Sequence, residues 1–177
     1  MNVTDRSGFI MLRDILLLEL QTKPNAKALN ELLNWSFIQL QDWQTAFVFN
    51  KSLDTRLRSK GKHLYAFGEL CIDNLEYKYA TKAFNQVVQY GKDYPFYEAS
   101  LSGSIQAQFK HINVTQDTAG LKSLSEQCAW AISQISNLDT LFPVIRTQAN
   151  IYSKYYYKSK KEDILRDQYL KETGLSS

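Results

Sequence analysis

The sequence predicts an all-α protein made of stacked pairs of antiparallel helices. Apolar residues recur at three-and-four spacing along most of the 177 residues, as they do on one face of a helix. The chain has 7 Gly and 3 Pro, which leaves little of the turn chemistry that a many-stranded β-fold needs. Trp43 lies 34 residues before Tyr77, and Ala46 lies 34 residues before Ala80. A period of this length is typical of repeated helical hairpins.

A leading helix is expected over residues 5–22, where Phe9, Leu12 and Leu16 follow the helical spacing. Thr22-Lys-Pro-Asn ends it, because proline cannot continue a helix. Other leucines place apolar side chains on further faces of this helix, so we expect it to be covered on more than one side. It covers one end of the stack, and it also has the character of the second helix of a preceding hairpin.

Two helix pairs are predicted next, over residues 25–60 and 62–95. In the first pair, Leu29, Leu33 and Phe37 share one face of the first helix, and Asp42 marks the turn into the second. The second pair is separated from the first by Lys-Gly-Lys at 60–62. Its two helices meet at the short turn 74–76, and a glycine followed by a proline ends the second helix.

Two further pairs are predicted over residues 96–136 and 137–174. Leu101, Ile105 and Ile112 lie on one face of the first helix of the third pair. In the fourth pair, Pro143 suits the first turn of a helix, and a separate last helix is expected from about residue 161 to Gly174. The prediction is therefore about nine helices in one domain covering residues 1–177.

The segment 64–95 carries the clearest motif. Leu64, Phe67, Gly68 and Cys71 are followed by Tyr77, Ala80, Phe84 and Pro95. This order resembles the tetratricopeptide repeat, whose pattern is Trp-x-x-Leu-Gly-x-x-Tyr, then Ala-x-x-x-Phe, then Pro. An earlier copy keeps Leu33, Phe37, Trp43 and Ala46, but asparagines at 30, 34 and 50 depart from the pattern. The resemblance is strong over residues 27–95 and looser to residue 174.

The resemblance implies a right-handed superhelical solenoid whose groove is lined by the first helix of each pair. It also implies a non-catalytic scaffold that binds a peptide or a partner domain in this groove. The side chains that would project there are Glu31, Trp35, Gln39, Tyr65, Glu69, Asp73 and Phe109. Exposed aromatic residues of this kind anchor many interfaces. The alternative for the aromatic members is burial against the neighbouring hairpin.

The densest aromatic and basic patch offers a second function, nucleic-acid binding by a helical repeat. Rings of such a patch stack on bases while ammonium groups meet phosphates. The alternative is that the tyrosines point to different helix faces and pack inward. The patch consists of Tyr152, Tyr155, Tyr156 and Tyr157 with Lys154, Lys158, Lys160 and Lys161. The net charge of +3 is small for this length, which makes a nucleic-acid partner the weaker prediction.

No constellation for catalysis, metal binding or a cofactor is evident, so we predict that the protein is not an enzyme. His63 and His111 are far apart in sequence, and neither has a second ligand at helical spacing. Cys71 and Cys128 do not form a Cys-x-x-Cys pair and are expected to be small core residues. There is no glycine-rich phosphate loop.

No segment has the character of a membrane span or a secretory signal. The apolar run that starts at Phe9 is interrupted by Arg13 and Asp14, well short of the ~18 apolar residues that a span needs. No small-residue cleavage site follows it. The expectation is a soluble protein, either cytoplasmic or exported as an internal piece of a longer chain with further repeats.

Overall fold

The computed structural model describes the backbone of residues 3–173 and the side chains of residues 6–117, 119–154 and 160. Within these residues all regular structure is helical and there is no β-strand, which confirms the all-α class. The α-helices are α1 (Val3–Thr22), α2 (Lys27–Gln39), α3 (Trp43–Leu57), α4 (Lys62–Asp73), α5 (Tyr77–Val88), α6 (Tyr97–Thr115), α7 (Leu121–Gln134) and α8 (Leu138–Thr173). A short 3₁₀ turn, Thr118–Gly120, precedes α7.

Helices that follow one another in the chain pack against one another. Further contacts join α3 to α5, α4 to α6, and α6 to α8. The short connections α2–α3, α4–α5 and α6–α7 make three hairpins. At one end α1 packs against α2, and at the other end α8 packs against α6 and α7.

The prediction of two helices over residues 137–174 is wrong, because α8 runs without a break from Leu138 to Thr173. The physical reason is visible in the sequence after Pro143. No glycine or proline occurs between residues 144 and 173, so nothing there stops a helix. The described part of the chain therefore has eight α-helices where nine were expected.

The ring of Phe84 has no exposed surface and belongs to the core cluster formed mainly by α2 to α5. Gly68 of α4 and Gly103 of α6 both face this ring. A Cβ added at Gly68 would lie 2.6 Å from the ring, and one at Gly103 would lie 2.9 Å from it. Both distances are shorter than Cβ contacts allow, so α4 and α6 can approach α5 only because these residues have no side chain.

The asparagines that depart from the repeat pattern form hydrogen bonds in the first hairpin. Asn50 on α3 donates from Nδ2 to Oδ1 of Asn34 on α2, at 2.6 Å, and to the carbonyl of Ala46, at 2.8 Å. Asn30 accepts a hydrogen bond from Arg56 of α3, at 2.9 Å. Buried polar groups are tolerated when they are paired in this way, so hydrogen bonds replace part of the apolar packing between α2 and α3.

Asp54 is buried on α3 and caps the start of α4. Its carboxylate accepts hydrogen bonds from the Ser59 hydroxyl and from the backbone N–H groups of His63, at 3.0 Å, and Leu64, at 2.9 Å. Gly61 occupies the N-cap position of α4 and has no side chain to supply this cap. A carboxylate near a helix N-terminus also interacts favourably with the helix dipole. The N-terminus of α4 is therefore capped by a side chain of the preceding helix, α3.

A second carboxylate holds the start of α8. Glu98 in the first turn of α6 accepts hydrogen bonds from the hydroxyl of Ser136, at 2.6 Å, and from the backbone N–H groups of Ser136 and Asn137, both at 3.0 Å. These hydrogen bonds lower the pKa of Glu98, first through the Ser136 side chain and then through the two backbone groups. Glu98 thus fixes the connection between α7 and α8 against α6.

Candidate interaction groove

The residues predicted to line a groove lie on the first helix of each hairpin, and they differ in exposure. On α2, Glu31 and Trp35 are exposed and Gln39 is half-buried. On α4, Tyr65 is half-buried, whereas Glu69 and Asp73 are exposed; on α6, Phe109 is half-buried. Most of the residues that carry the repeat pattern are buried: Leu33, Trp43, Ala46, Leu64, Phe67, Gly68, Ala80 and Phe84. Tyr77 is half-buried, and Pro95 lies exposed in the loop before α6.

Trp35 combines the two alternatives considered for it. Its ring is 45% exposed, and its other side meets Phe9 of α1 edge-on, with 5.2 Å between ring centroids. An edge-to-face pair of this kind contributes about 0.5–1.5 kcal/mol beyond its buried area. Trp35 therefore holds α1 in place and still offers apolar surface for contact.

Tyr65 belongs more to the core than to an open surface. Its ring stacks on Phe96, with centroids 5.1 Å apart, and packs at a tilt against Phe84, at 5.7 Å. Burial raises the pKa of Tyr65, and the neighbouring Glu69 carboxylate raises it further. The structure therefore leaves only part of this side chain available to a partner.

Glu69, Asp73 and Lys110 form a charged strip between α4 and α6. Partial burial raises the pKa of Glu69, Asp73 one turn away raises it further, and Lys110 acts in the opposite direction. The Lys110 ammonium also lies 6.0 Å from the ring centroid of Tyr77. The pKa of Glu69 is therefore raised in spite of Lys110, because burial and the Asp73 carboxylate together outweigh it.

Phe109 connects the strip to α8. The ammonium group of Lys154 on α8 lies 5.5 Å from the centroid of the Phe109 ring and donates to Oδ1 of Asn113, at 2.7 Å. Cation–π contacts of this type stabilise by about 0.5–1 kcal/mol at exposed sites. Lys154 is therefore used within the chain. Most other side chains of the tyrosine–lysine patch lie outside the described residues, although Tyr152 and Lys160 are described and exposed.

The raised pKa of Glu69 predicts a pH-dependent stability. Folded Glu69 holds its proton to higher pH than the unfolded chain, whose glutamates titrate near ~4.3. The folded state then binds more protons in this window, so stability falls as pH rises through it. Glu69→Gln should melt at a slightly higher temperature than wild type at neutral pH, and the difference should vanish at acid pH. Glu126→Gln is the matched control, because Glu126 is an exposed glutamate on α7. If both variants differ from wild type in melting temperature by the same amount at neutral pH, the raised pKa of Glu69 is not the cause.

Two cavities that sequence reasoning did not predict lie away from the groove residues. One, of about 370 Å³, is lined by Asp54, Thr55, Arg58, Lys60, Gly61, Tyr90 and Tyr94. Its only carboxylate already caps α4, and its rings contact each other, with Tyr90 and Tyr94 centroids 5.6 Å apart. The other, of about 220 Å³, lies between α7 and α8 and includes Leu121 and Ile151. The lining of the second cavity also includes Lys122, Ser125 and Glu126 of α7.

The chemistry of catalysis or metal binding has few candidates in the described side chains. Burial raises the pKa of both cysteine thiols, that of Cys128 to about 11, so both stay protonated at neutral pH. Searched over the described residues, the chain has no group of three His, Cys, Asp or Glu side chains arranged to hold a metal ion. Over the same residues, no helix has the length and apolar character needed to cross a membrane.

Comparison with protein-family models, with curated proteins and with solved structures found no match to this chain. A proposal about its function therefore depends on its own residues.

Proposed function

We propose that the protein is a non-catalytic scaffold of the tetratricopeptide type, a right-handed stack of helical hairpins that binds a partner polypeptide along its first helices. The observation that carries the proposal is the charged strip of Glu69, Asp73 and Lys110 between α4 and α6. Its members interact electrostatically across two successive first helices. Such coupling supports a continuous surface rather than separate patches.

The chemistry of the strip indicates what the partner offers. Burial raises the pKa of Glu69 most, Asp73 one turn away raises it further, and Lys110 offsets these effects only in part. A lysine or arginine of a partner would offset them further. The exposed part of Trp35 on α2 adds an apolar anchor of the type enriched in interface hot spots. The proposed partner is a segment with an apolar side chain and a basic side chain near each other.

The test is a pull-down from the natural source in which groove variants are compared with matched variants outside the groove. Trp35→Ala is paired with Trp130→Ala, because Trp130 on α7 is 50% exposed and Trp35 is 45% exposed. Glu69→Gln/Asp73→Asn is paired with Glu126→Gln. A partner that is retained by both controls and lost from both groove variants, with folding verified by circular dichroism, supports the proposal.

Truncating a hot-spot side chain usually weakens binding by about 2 kcal/mol or more, which is roughly a thirtyfold loss of affinity. We expect Trp35→Ala to reach this range in a titration with the purified partner. If binding is equally weak in Trp130→Ala, or if nucleic acid is recovered in place of a protein, the groove proposal is wrong.

A further inference from the structure

The cavity of about 370 Å³ lies where two connections of the chain meet. Arg58 and Lys60 belong to the connection between α3 and α4, and Tyr90 and Tyr94 belong to the connection between α5 and α6. A Cβ at Gly61 would lie 2.8 Å from a side chain of α5, so glycine lets the first connection approach that helix closely. The volume falls in the range of ~300–1,000 Å³ that is typical of small-molecule sites.

The acidic group of the cavity is already in use. The buried carboxylate of Asp54 accepts hydrogen bonds from the Ser59 hydroxyl and from two backbone N–H groups at the start of α4. Its charge therefore meets the positive end of the α4 dipole. The hydroxyl of Thr55 is also paired and donates to the carbonyl of Lys51, at 3.1 Å. A ligand that offered only hydrogen-bond donors would find these acceptors largely occupied.

The basic groups of the cavity, by contrast, are free. Among the described side chains, Arg58 and Lys60 are exposed and take part in no ion pair and no side-chain hydrogen bond. Both have a left-handed backbone, with φ of +50° and +54°, which glycine or asparagine adopts at lower cost. A positive charge at the end of α3 interacts favourably with the helix dipole, but this leaves the guanidinium and ammonium donors unused.

The two tyrosines of the cavity add phenol donors and an aromatic surface. Tyr90 is half-buried and Tyr94 is 37% exposed, with their rings inclined at 43° to each other. Burial raises the pKa of Tyr90, and the Asp54 carboxylate and Tyr94 raise it further, so its hydroxyl keeps its proton and remains a donor. The exposed part of the Tyr94 ring is available for stacking against a planar group.

We propose that this cavity binds a phosphate monoester attached to a planar ring system, as in a nucleoside monophosphate or a phosphotyrosine side chain. Such a phosphate carries about −1.5 to −2 charges at pH 7, which suits two neighbouring cations. Arg58 can hold two of its oxygens through parallel hydrogen bonds, and Lys60 can neutralise the remaining charge. A phosphate alone would leave most of the cavity empty, and Tyr94 offers a surface for the ring. The inference does not depend on the scaffold proposal, whose groove residues lie elsewhere.

The test is a set of NMR titrations of the complete chain, because they measure the affinity and also locate the bound ligand. The probes are adenosine monophosphate, phosphotyrosine and inorganic phosphate, with adenosine and tyrosine as the counterparts that lack phosphate. At least one ring-bearing phosphate should bind with a Kd below about 1 mM, more tightly than inorganic phosphate and than its own counterpart. Amide signals of residues 54–61 and 90–94 should shift. The tighter of the two probes identifies the source of the ring.

Three variants separate the phosphate contact from the ring contact. Arg58→Gln and Lys60→Gln should each weaken binding of every phosphate probe about tenfold. Glutamine suits their backbone, because Gln41 and Gln116 of the same chain both have φ of +57°. Tyr94→Ala should weaken the ring-bearing probe about fivefold or more and leave inorganic phosphate unchanged. A purely structural role for Tyr94 would not distinguish the two ligands.

Lys78→Gln is the matched control, because it removes one positive charge from an exposed lysine of α5 and should bind like wild type. Circular dichroism verifies the fold of each variant before titration. Any of four results would overturn the proposal: no Kd below about 1 mM for either ring-bearing phosphate, inorganic phosphate bound as tightly as both, signal shifts confined to other parts of the chain, or wild-type affinity in Arg58→Gln and Lys60→Gln.

Discussion

Phe84→Ala is expected to lower the free energy of unfolding by about 3–5 kcal/mol, the range found for phenylalanine truncations in a core. Phe84 has no exposed surface and lies between Gly68 of α4 and Gly103 of α6, so its ring is shared by three helices. Two glycines cannot extend side chains to fill the vacated space, and the cavity would persist. Chemical denaturation followed by circular dichroism measures the change. A loss below that of an ordinary surface substitution would show that Phe84 does not hold these helices together.

The same contact can be tested from the opposite side with a small substitution. Gly68→Ala places a methyl carbon 2.6 Å from the Phe84 ring, and overpacking of this kind costs about 1–3 kcal/mol. Gly8→Ala is the matched control, because Gly8 is also helical and has nothing within 4 Å of an added Cβ. There the alanine should stabilise the helix by up to about 1 kcal/mol. Opposite signs at the two glycines are the expected result, and equal signs would contradict the close packing of α4 on α5.

The hairpins could be predicted from sequence because their determinants are local. Asp42 caps α3 by accepting a hydrogen bond from the backbone of Thr45, and the turn before Tyr77 is one of the shortest in the chain. Gly68 signalled a close helix contact, since a glycine in a helix is costly unless something must approach it. The structure adds the identity of what approaches, which is the ring of Phe84. The spacing of residues within one helix does not reveal which residue of a neighbouring helix packs against a given position.

The last helix was predicted less well, because a continuous helix is indicated there only by the lack of residues that would end it. A break was expected among the tyrosines and lysines that follow residue 152, although none of these residues stops a helix. α8 continues through them. Leu138, Phe142, Ile145 and Tyr152, which are exposed on one face of α8, follow a helical spacing that is visible in the sequence.

The residues predicted to line a groove lie on α2, α4 and α6, but the repeat period carries no information about charge partners. Lys110 on α6 acts on the pKa of Glu69 on α4, although the whole of α5 lies between these two helices in sequence. Similarly, Phe9 covers part of Trp35 from a helix outside the repeat. Such pairs depend on the angles between helices, which a single sequence does not determine.

The Asp54 cap was missed, although it had a signal. Trp43, Ala46, Phe47 and Asn50 define the buried face of α3, and Asp54 falls on the same face four residues later. A carboxylate at such a position needs partners, because an unpaired buried charge costs far more than a lost surface contact. Its partners lie 9 and 10 residues further along, at His63 and Leu64. An acidic residue on the apolar face of one helix, followed by a helix whose N-cap residue is glycine, therefore predicts that the acidic side chain caps the second helix.

Asp54→Ala is expected to destabilise the protein by about 3 kcal/mol, because hydrogen bonds to a charged group contribute about 1.5–3 kcal/mol and the loss of a helix cap costs about 0.5–2 kcal/mol. The substitution leaves the N–H groups of His63 and Leu64 without their acceptor, and Gly61 has no side chain that could replace it. Equilibrium denaturation measures the loss, and amide hydrogen exchange locates it: protection should fall first at the start of α4.

Two further variants distinguish the capping hydrogen bonds of Asp54 from the packing of its side chain. Asp54→Asn keeps the shape and one acceptor oxygen, so it should recover part of the stability, less than a full carboxylate provides at a helix N-terminus. Gly61→Asn tests whether a local cap can replace the borrowed one, but a Cβ there would lie 2.8 Å from Val87 and the backbone has φ of +87°. It should therefore fail to rescue Asp54→Ala. If Gly61→Asn restores the stability of Asp54→Ala, the strain at Gly61 is small and α4 does not depend on α3 for its first turn. If Gly61→Asn does not restore it, the result explains why the capping carboxylate comes from the preceding helix.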